Sequence, residues 1–198
     1  MPLRAIASDI GCLLRRDGVR QTARKLADGY RQDELLVIVK RLDSVQAISF
    51  QPRLQVAELT RDWLPALAEL NRSRCDTRAT ARFAADLGRG HQAFVASVDG
   101  VPVGYYWWAD GRHPHLDRLG VALEAGDVYG FDFYLGEEHR GDGNAVAFLH
   151  AVEVALRERG FARLWGYVRD DNRPARWLYS LRGYEVVKHV QLRPMQMR

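Results

Sequence analysis

The segment HRGDGNA, residues 139–145, combines two glycines, a basic side chain and a carboxylate in one short turn. A glycine-rich turn that opens a helix directs backbone N–H groups toward a ligand and lets an anion approach the backbone closely. This chemistry suits the phosphates of a cofactor. A tight structural turn explains the same residues equally well, and the carboxylate of Asp142 would oppose an anion.

This loop differs from the two common nucleotide-binding loops. No GxxxxGK[ST] segment occurs in the sequence, which argues against a Walker-type NTPase. A dinucleotide-binding GxGxxG motif would need glycine where the chain has Val146. From the loop alone, phosphate binding and a structural helix start therefore stay equal alternatives.

The pattern around the loop predicts a strand over 128–135 and a helix over 143–159. Alternation along the strand predicts one row of apolar side chains on a single face: Tyr129, Phe131, Phe133 and Leu135. Asp132 then belongs to the other face. The helical period buries the apolar residues of 143–159 and places Glu153 on the exposed side, with His150 and Arg157.

The other predicted elements make a mixed α/β domain with an extension before it. A helix over 17–32 and a strand over 34–42 form the extension, residues 1–48, and the domain covers 49–198. Apolar periodicity and turn signals predict the elements of the domain. They are strands at 54–60, 161–168 and 184–192, a hairpin at 92–110 with its turn at Asp99-Gly100, helices at 61–71 and 77–90, a long irregular loop at 111–127, and a short helix capped by Asn172.

Composition bounds the class of protein without naming a ligand. The 198 residues are 47% hydrophobic and 27% charged, which is ordinary for a soluble globular protein. A formal net charge of +4 favours an anionic ligand, RNA or a membrane surface without choosing among them. The first residues carry charges at Arg4, Asp9 and Arg15 that interrupt the apolar run, so we expect no signal peptide or spanning helix and a cytoplasmic protein.

The two cysteines, Cys12 and Cys75, form no CxxC pair and give no zinc-ligand spacing. We therefore expect no metal and no disulfide. Free, partly buried thiols are the favoured interpretation.

Residues 49–192 resemble the GCN5-related N-acetyltransferase (GNAT) family in two motifs and in the order of elements, β-α-α-β-β-β-α-β-α-β. The pyrophosphate-binding signature of that family, Q/R-x-x-G-x-G/A, is matched here by Arg140, Gly141, Asp142, Gly143, Asn144 and Ala145. A second motif, an asparagine that opens a helix and a tyrosine seven residues later, is matched by Asn172 and Tyr179 in NRPARWLYSLRGYEVV. The resemblance implies a mixed, mostly antiparallel twisted sheet flanked by helices.

The resemblance also implies acetyl-CoA as co-substrate and no metal. Backbone amides of the loop would hold the pyrophosphate, and the strand end Phe133, Tyr134 and Leu135 would pair with the pantetheine arm. An N–H near Leu135 would polarise the thioester carbonyl, as in an oxyanion hole. Asn172 caps its helix and is a further candidate for a contact with the cofactor. An acceptor amine would attack the thioester directly in a ternary complex.

Tyr179 is implied as the acid that protonates the departing thiolate, since a phenol with an ordinary pKa near 10 can serve a thiolate leaving group. Its spacing alone favours a core tyrosine on the stripe that includes Ala175 and Leu178. For the proton that the amine loses, Asp132 is the best single candidate, because a half-buried strand carboxylate needs a partner or a role. The alternatives, each more typical of surface loop, are Glu137, Glu138, His113 and His115.

The run YYWW at 105–108 places Tyr105 and Trp107 on one face of a strand and Tyr106 and Trp108 on the other. One pair belongs to the core. The second pair either packs under neighbouring helices, which is the favoured reading, or walls an acceptor site.

Some features depart from the family. It usually adds one more strand after 184–192, so either the early strand 34–42 or a partner chain would fill the missing edge, which leaves a homodimer open.

The function has alternatives too: a non-catalytic acyl-CoA sensor, or a transferase with a longer acyl donor. The basic helix 17–32 would suit RNA or a membrane, but a solvated face explains it better, so we expect neither partner. The acceptor, a small-molecule or peptide amine, is not readable from the sequence.

Overall fold

The computed structural model describes residues 3–28, 33–49, 53–73, 75–76, 78–111 and 113–192. The predicted helix residues 29–32 and the last six residues, 193–198, lie outside this description. The helices are α1 (Leu3–Asp28, broken by a kink at Gly18, which has a non-helical φ of 76°), α2 (Leu64–Ser73), α3 (Ala79–Gly88), α4 (Pro114–Leu119), α5 (Asn144–Glu158) and α6 (Arg173–Leu181). The strands are β1 (Asp33–Arg41), β2 (Gln55–Glu58), β3 (Gln92–Val98), β4 (Val101–Ala109), β5 (Asp127–Leu135), β6 (Arg163–Arg169) and β7 (Glu185–Leu192).

The strands form a single seven-stranded sheet in the order β2-β3-β4-β5-β6-β1-β7. Pairing is antiparallel between β2 and β3, β3 and β4, β4 and β5, and β6 and β1, whereas β5 and β6 are parallel. The predicted mixed, mostly antiparallel sheet is confirmed.

Strand β1 lies inside the sheet, between β6 and β7, and not at an edge. Its register with β6 runs from Leu35 opposite Arg169 to Arg41 opposite Arg163. The residues Leu35, Leu36, Val37 and Ile38 are all at most 2% exposed. A continuous apolar run of this kind suits a strand that is covered on both faces.

The main core lies on one face of the sheet, which we call the α5 face. Apolar side chains of α5 pack there against strand residues from β1 to β6, including Ile38, Tyr106, Val128, Leu164 and Val168. Because side chains alternate along strands, Tyr129, Trp165 and Tyr167 point to the opposite face. Both aromatic pairs of the YYWW run are buried, so the second pair also packs rather than standing open to solvent.

A β-bulge interrupts β5 at Asp132, which has a left-handed backbone with φ of 48°. The register passes from Trp107 opposite Phe131 to Tyr105 opposite Tyr134, so one residue of β4 faces two of β5. An extra residue reverses the alternation beyond it.

The single apolar row predicted for β5 is therefore wrong. Phe133 and Leu135 lie on the α5 face, where the ring of Phe133 is 5.4 Å from that of Phe148. Tyr129 and Phe131 stay together on the opposite face, with ring centroids 5.5 Å apart. Periodicity cannot locate a bulge, because the pattern of residue types continues across it.

Strands β5 and β6 pair over only three residue pairs, from Asp127 opposite Arg163 to Tyr129 opposite Trp165. The guanidinium of Arg163 closes this end with two hydrogen bonds to the Asp127 carboxylate, of 2.6 and 2.9 Å. We call the point beyond Tyr129 and Trp165 the fork. Gly130 follows at once, and a Cβ there would stand 1.8 Å from the hydroxyl of Tyr106.

Several local predictions are confirmed. Asp99 and Gly100 have φ values of 50° and 77°, as a tight hairpin turn requires. The side chain of Asn172 accepts a hydrogen bond of 3.3 Å from the N–H of Ala175 at the start of α6. The segment 111–127 is less irregular than predicted, because it contains α4, whose N-cap is His113.

The chain divides into two compact units, one of Met1–Asp33, Thr60–Arg89 and Leu192–Arg198 and the other of Glu34–Leu59 and Gly90–Gln191. Within the first unit, Cys12 and Cys75 form a disulfide, so the prediction of free thiols is wrong. The two cysteines are 63 residues apart, and only the folded chain brings their Cα atoms to 5.5 Å. None of the described helices is long and apolar enough to cross a membrane.

Replacing Leu36 with Ala should lower the free energy of unfolding by about 2–5 kcal/mol, because it leaves a cavity in the core beneath β1. Urea unfolding measures this change. Val19→Ala is the matched control, since Val19 is 75% exposed and the change should cost less than about 0.5 kcal/mol. Equal effects of the two changes would mean that β1 does not belong to the cooperative core.

Candidate active site

Three separate segments of the chain line one cavity of about 330 Å³ beside the end of β5. Six of the residues implied as cofactor contacts are among its walls: Phe133, Tyr134, Leu135, Arg140, Ala145 and Asn172. Pro174, Ala175, Trp177 and Leu178 of α6 complete it. Part of each sequence motif therefore lines this cavity, whereas Gly141, Asp142, Gly143 and Asn144 of the first motif are not among its walls.

The backbone of Leu135 is directed toward this side of β5. Gly136 N–H donates to the carbonyl of Val103 at 2.8 Å, and Leu135 is the register partner of Gly104. Because bonded and non-bonded pairs alternate along an antiparallel ladder, the N–H of Leu135 points away from β4. Its carbonyl oxygen accepts the Nε–H of Arg140 at 2.9 Å on that side. The backbone here has the direction that a polarising N–H needs.

The glycine loop runs directly into α5. Asp142 has a φ of 53° and Gly143, the N-cap, a φ of 75°, and no side chain caps the helix. Asn144 N–H donates within the loop to the carbonyl of Gly141 at 3.0 Å. Gly141 and Asp142 are exposed. An uncapped helix start carries N–H groups and a dipole that favour an anion.

Tyr179 lies outside that cavity, in a second one of about 480 Å³ that Leu36, Ile38 and Val168 also line. Its ring is 4.9 Å from that of Tyr184. Burial raises the pKa of the Tyr179 hydroxyl, and the nearby Glu153 and Tyr167 raise it further. The phenol therefore keeps its proton at neutral pH. It belongs to the α5 face of the sheet.

Glu153 of α5 is completely buried, so its predicted place on an exposed helix face is wrong. Its carboxylate Oε2 is 2.5 Å from Nη2 of Arg182, which is also buried. Lys40 of β1 donates to the Arg182 carbonyl at 2.6 Å. Burial raises the pKa of Glu153, although Arg182 and Lys40 oppose that shift. The helical period predicts that the face of α5 around Glu153 is polar. In the folded chain, residues from β1 and from the end of α6 lie against this face and bury it.

Asp132 is half-buried and occupies the bulge itself. Aspartate is one of the few residues besides glycine that tolerates this left-handed backbone. The strand alternation from which its face was predicted ends at this residue, so the bulge and not the pattern decides its direction.

Three histidines gather on the opposite face of the sheet, near the fork. His113 is 5% exposed, and its ring lies 5.0 Å from His91, 4.6 Å from Phe131 and 4.9 Å from Tyr129. His113 Nδ1 accepts a hydrogen bond of 3.2 Å from the N–H of His115. We call His91, His113 and His115 the histidine cluster. The sequence marked two of them only as loop residues, and a buried position was not readable from their spacing.

No group of three or more His, Cys, Asp or Glu side chains in the described part of the chain is arranged to hold a metal ion.

The sequence model of the acetyltransferase (GNAT) family matches residues 55–184, which include both motifs. The chain therefore belongs to the GNAT family, whose members use acetyl-CoA to acetylate amine acceptors. The resemblance read from the motifs is confirmed. No curated protein matches the chain in sequence.

Solved structures share this fold at low sequence identity. A conserved protein of Staphylococcus epidermidis ATCC 12228 aligns with a TM-score of 0.61 and 12% identity over 86% of this chain and 65% of that one. The glucosamine N-acetyltransferase region of a fungal multi-domain GH3 β-N-acetylglucosaminidase aligns with a TM-score of 0.63 and 14% identity, over 86% of this chain and 22% of that one. The ribosomal-protein-S18-alanine N-acetyltransferase of Escherichia coli aligns with a TM-score of 0.51 and 21% identity, over 66% of this chain and 76% of that one. The chain spans less than two thirds of the first two proteins, and these identities show the fold alone.

Replacing Glu153 with Gln should change how stability depends on pH. Because burial raises the folded-state pKa of Glu153, the stability it contributes is complete below the ordinary glutamate pKa and is lost as pH rises through the raised value. The wild type should therefore lose unfolding free energy relative to Glu153→Gln as pH increases above about 4.3.

Urea unfolding at several pH values measures this difference. Glu158→Gln, an exposed change on the same helix, is the control and should give a nearly constant difference. A wild type that gains stability over Glu153→Gln with rising pH would contradict the raised pKa.

Proposed function

We propose that this protein transfers an acetyl group from acetyl-CoA to an acceptor amine by direct attack in a ternary complex. The observation that carries the proposal is the single cavity lined by the strand end Phe133–Leu135, by Arg140 and Ala145, and by Asn172. These residues are among those that the two family motifs, and the strand that precedes both motifs, imply for the cofactor. The acceptor is a small-molecule or peptide amine.

In this proposal the cofactor is held mainly by backbone groups. The amides of Gly141, Asp142, Gly143 and Ala145 bind the pyrophosphate, supported by the uncapped start of α5, while the Asn144 N–H holds the loop together through its bond to Gly141. The backbone of Phe133, Tyr134 and Leu135 binds the pantetheine arm. The outward N–H of Leu135 would polarise the thioester carbonyl in the transition state.

Side chains then move the protons. Tyr179, protonated at neutral pH, gives its proton to the departing thiolate. Asp132 is the proton acceptor that the sequence proposes for the amine. No covalent intermediate on the protein is needed, which agrees with the absence of a free thiol among the described residues.

The acceptor can be sought with a thiol-release assay on a panel of amines. Peptides with an N-terminal alanine and glucosamine belong in the panel, together with lysine peptides and small amines. A longer acyl-CoA in place of acetyl-CoA tests the acyl chain length in the same assay.

Tyr179→Phe should lower the rate of thiol release by about 100-fold or more, because it removes the proton for the leaving group. The dissociation constant for acetyl-CoA, measured by calorimetry, should stay unchanged. Tyr184→Phe makes the same chemical change in the ring that packs on Tyr179, and it should retain most of the rate. Full activity of Tyr179→Phe would exclude the proposed acid. A wild type that binds acetyl-CoA without releasing thiol with any amine would be a sensor.

Asp142→Asn should tighten acetyl-CoA binding about two-fold at low salt. The exposed carboxylate opposes the phosphates through water, which is worth roughly 0.5 kcal/mol for charges about 8 Å apart. Salt at about 1 M should abolish the difference, since the Debye length falls to about 3 Å. Weaker binding of Asp142→Asn at low salt would instead mean that the carboxylate organises the loop.

A further inference from the structure

The fork presents different chemistry on the two faces of the sheet. Tyr129 is the last residue of β5 that pairs with β6, and Tyr167 lies two residues beyond the last paired residue of β6. The ring of His115 is 6.4 Å from that of Tyr129 and 6.0 Å from that of Tyr167. His115 therefore lies across the opening on the opposite face, whereas Tyr179 belongs to the α5 face of the same opening.

The immediate contacts of His115 fix its ring. Its Nδ1 lies 3.3 Å from the hydroxyl oxygen of Tyr129, and its backbone N–H donates to Nδ1 of the buried His113. Burial raises the pKa of the Tyr129 hydroxyl, so it stays protonated at ordinary pH and can accept a hydrogen bond from Nδ1–H or donate one to an unprotonated Nδ1. When Nδ1–H donates to it, the lone pair of the imidazole is on Nε2.

We propose that His115 accepts the proton of the acceptor amine through Nε2, and that Tyr129 is the positioning residue that sets its tautomer. This inference deepens the proposed function and rests on it. It places the base and the acid on opposite faces of the fork, so that the amine attacks from one face and the thiolate leaves toward the other.

The protons and bonds balance. An ammonium acceptor loses one proton to His115, and the free amine forms a C–N bond to the thioester carbon. The C–S bond breaks, and the thiolate takes the proton of Tyr179. The second proton on nitrogen returns to Tyr179, and His115 gives its proton to solvent.

Chemistry favours the histidine over the carboxylate at the bulge. An imidazole, with an ordinary pKa near 6.5, is a stronger base than a carboxylate near 4 and is better matched to neutral pH. The aromatic rings of the described residues that contact His115 include His113 from the start of α4, Tyr129 from β5 and Tyr167 from β6, with His91 behind His113. His115 itself is half-buried.

The test compares His115→Gln, Tyr129→Phe and Asp132→Asn with the wild type. Thiol release from acetyl-CoA is measured from pH 5.5 to 9.5 with an N-terminal alanine peptide and with glucosamine as probe amines. We expect His115→Gln to lose about 100-fold in kcat/KM at pH 7 and to recover as pH approaches the pKa of the probe amine. Tyr129→Phe should lose about 10-fold, and Asp132→Asn should lose less than His115→Gln. His189→Gln, on the exposed strand β7, is the control and should keep the wild-type profile.

A second measurement does not depend on the acceptor. Long-range nitrogen–proton NMR of the imidazoles should show His115 as the Nδ1–H tautomer in the wild type and shifted toward Nε2–H in Tyr129→Phe. An Nε2–H tautomer in the wild type overturns this inference, as does a His115→Gln pH profile parallel to that of the wild type. If either of these results is found but Tyr179→Phe still loses thiol release, the proposed function stands and only the inference about His115 is overturned. A wild type without thiol release for any amine overturns both.

Discussion

The parting of β5 from β6 after three residue pairs is the constraint on which the site depends. Two hydrogen bonds from the guanidinium of Arg163 to the buried carboxylate of Asp127 hold the two strands together at one end. Charge-assisted hydrogen bonds with this bidentate geometry are among the strong polar contacts of proteins. Beyond Tyr129 and Trp165 the strands no longer pair, and the cavity beside the end of β5 lies past this point.

Strand β6 can leave β5 because β1 supports it along its whole length. Buried backbone groups need hydrogen-bond partners, and the antiparallel ladder with β1 supplies them where β5 does not. The same strand carries Lys40, which bonds the Arg182 carbonyl, and Arg182 in turn pairs with the buried Glu153 of α5. The N-terminal strand thus links the sheet to the two helices that border the site.

The bulge at Asp132 gives the two faces of the fork different side chains. It turns Phe133 and Leu135 toward α5 while Tyr129 and Phe131 stay on the other face, beside the histidine cluster. One face therefore offers the strand end and a protonated phenol, and the other offers imidazoles. A regular strand would have placed all four apolar side chains on one side and left no such division.

The sequence by itself determined the order of the strands, the hairpin turn, the cap at Asn172 and the family, because these depend on local residue types and spacing, whereas it missed helix α4. It also marked Arg140, Ala145 and the strand end Phe133–Leu135, which line one cavity. Only the tertiary structure decided that Cys12 and Cys75 pair, that Glu153 is buried and that β1 lies inside the sheet. The reason is physical: burial and pairing depend on which distant segments come together, and a bulge reverses faces without changing the residue pattern.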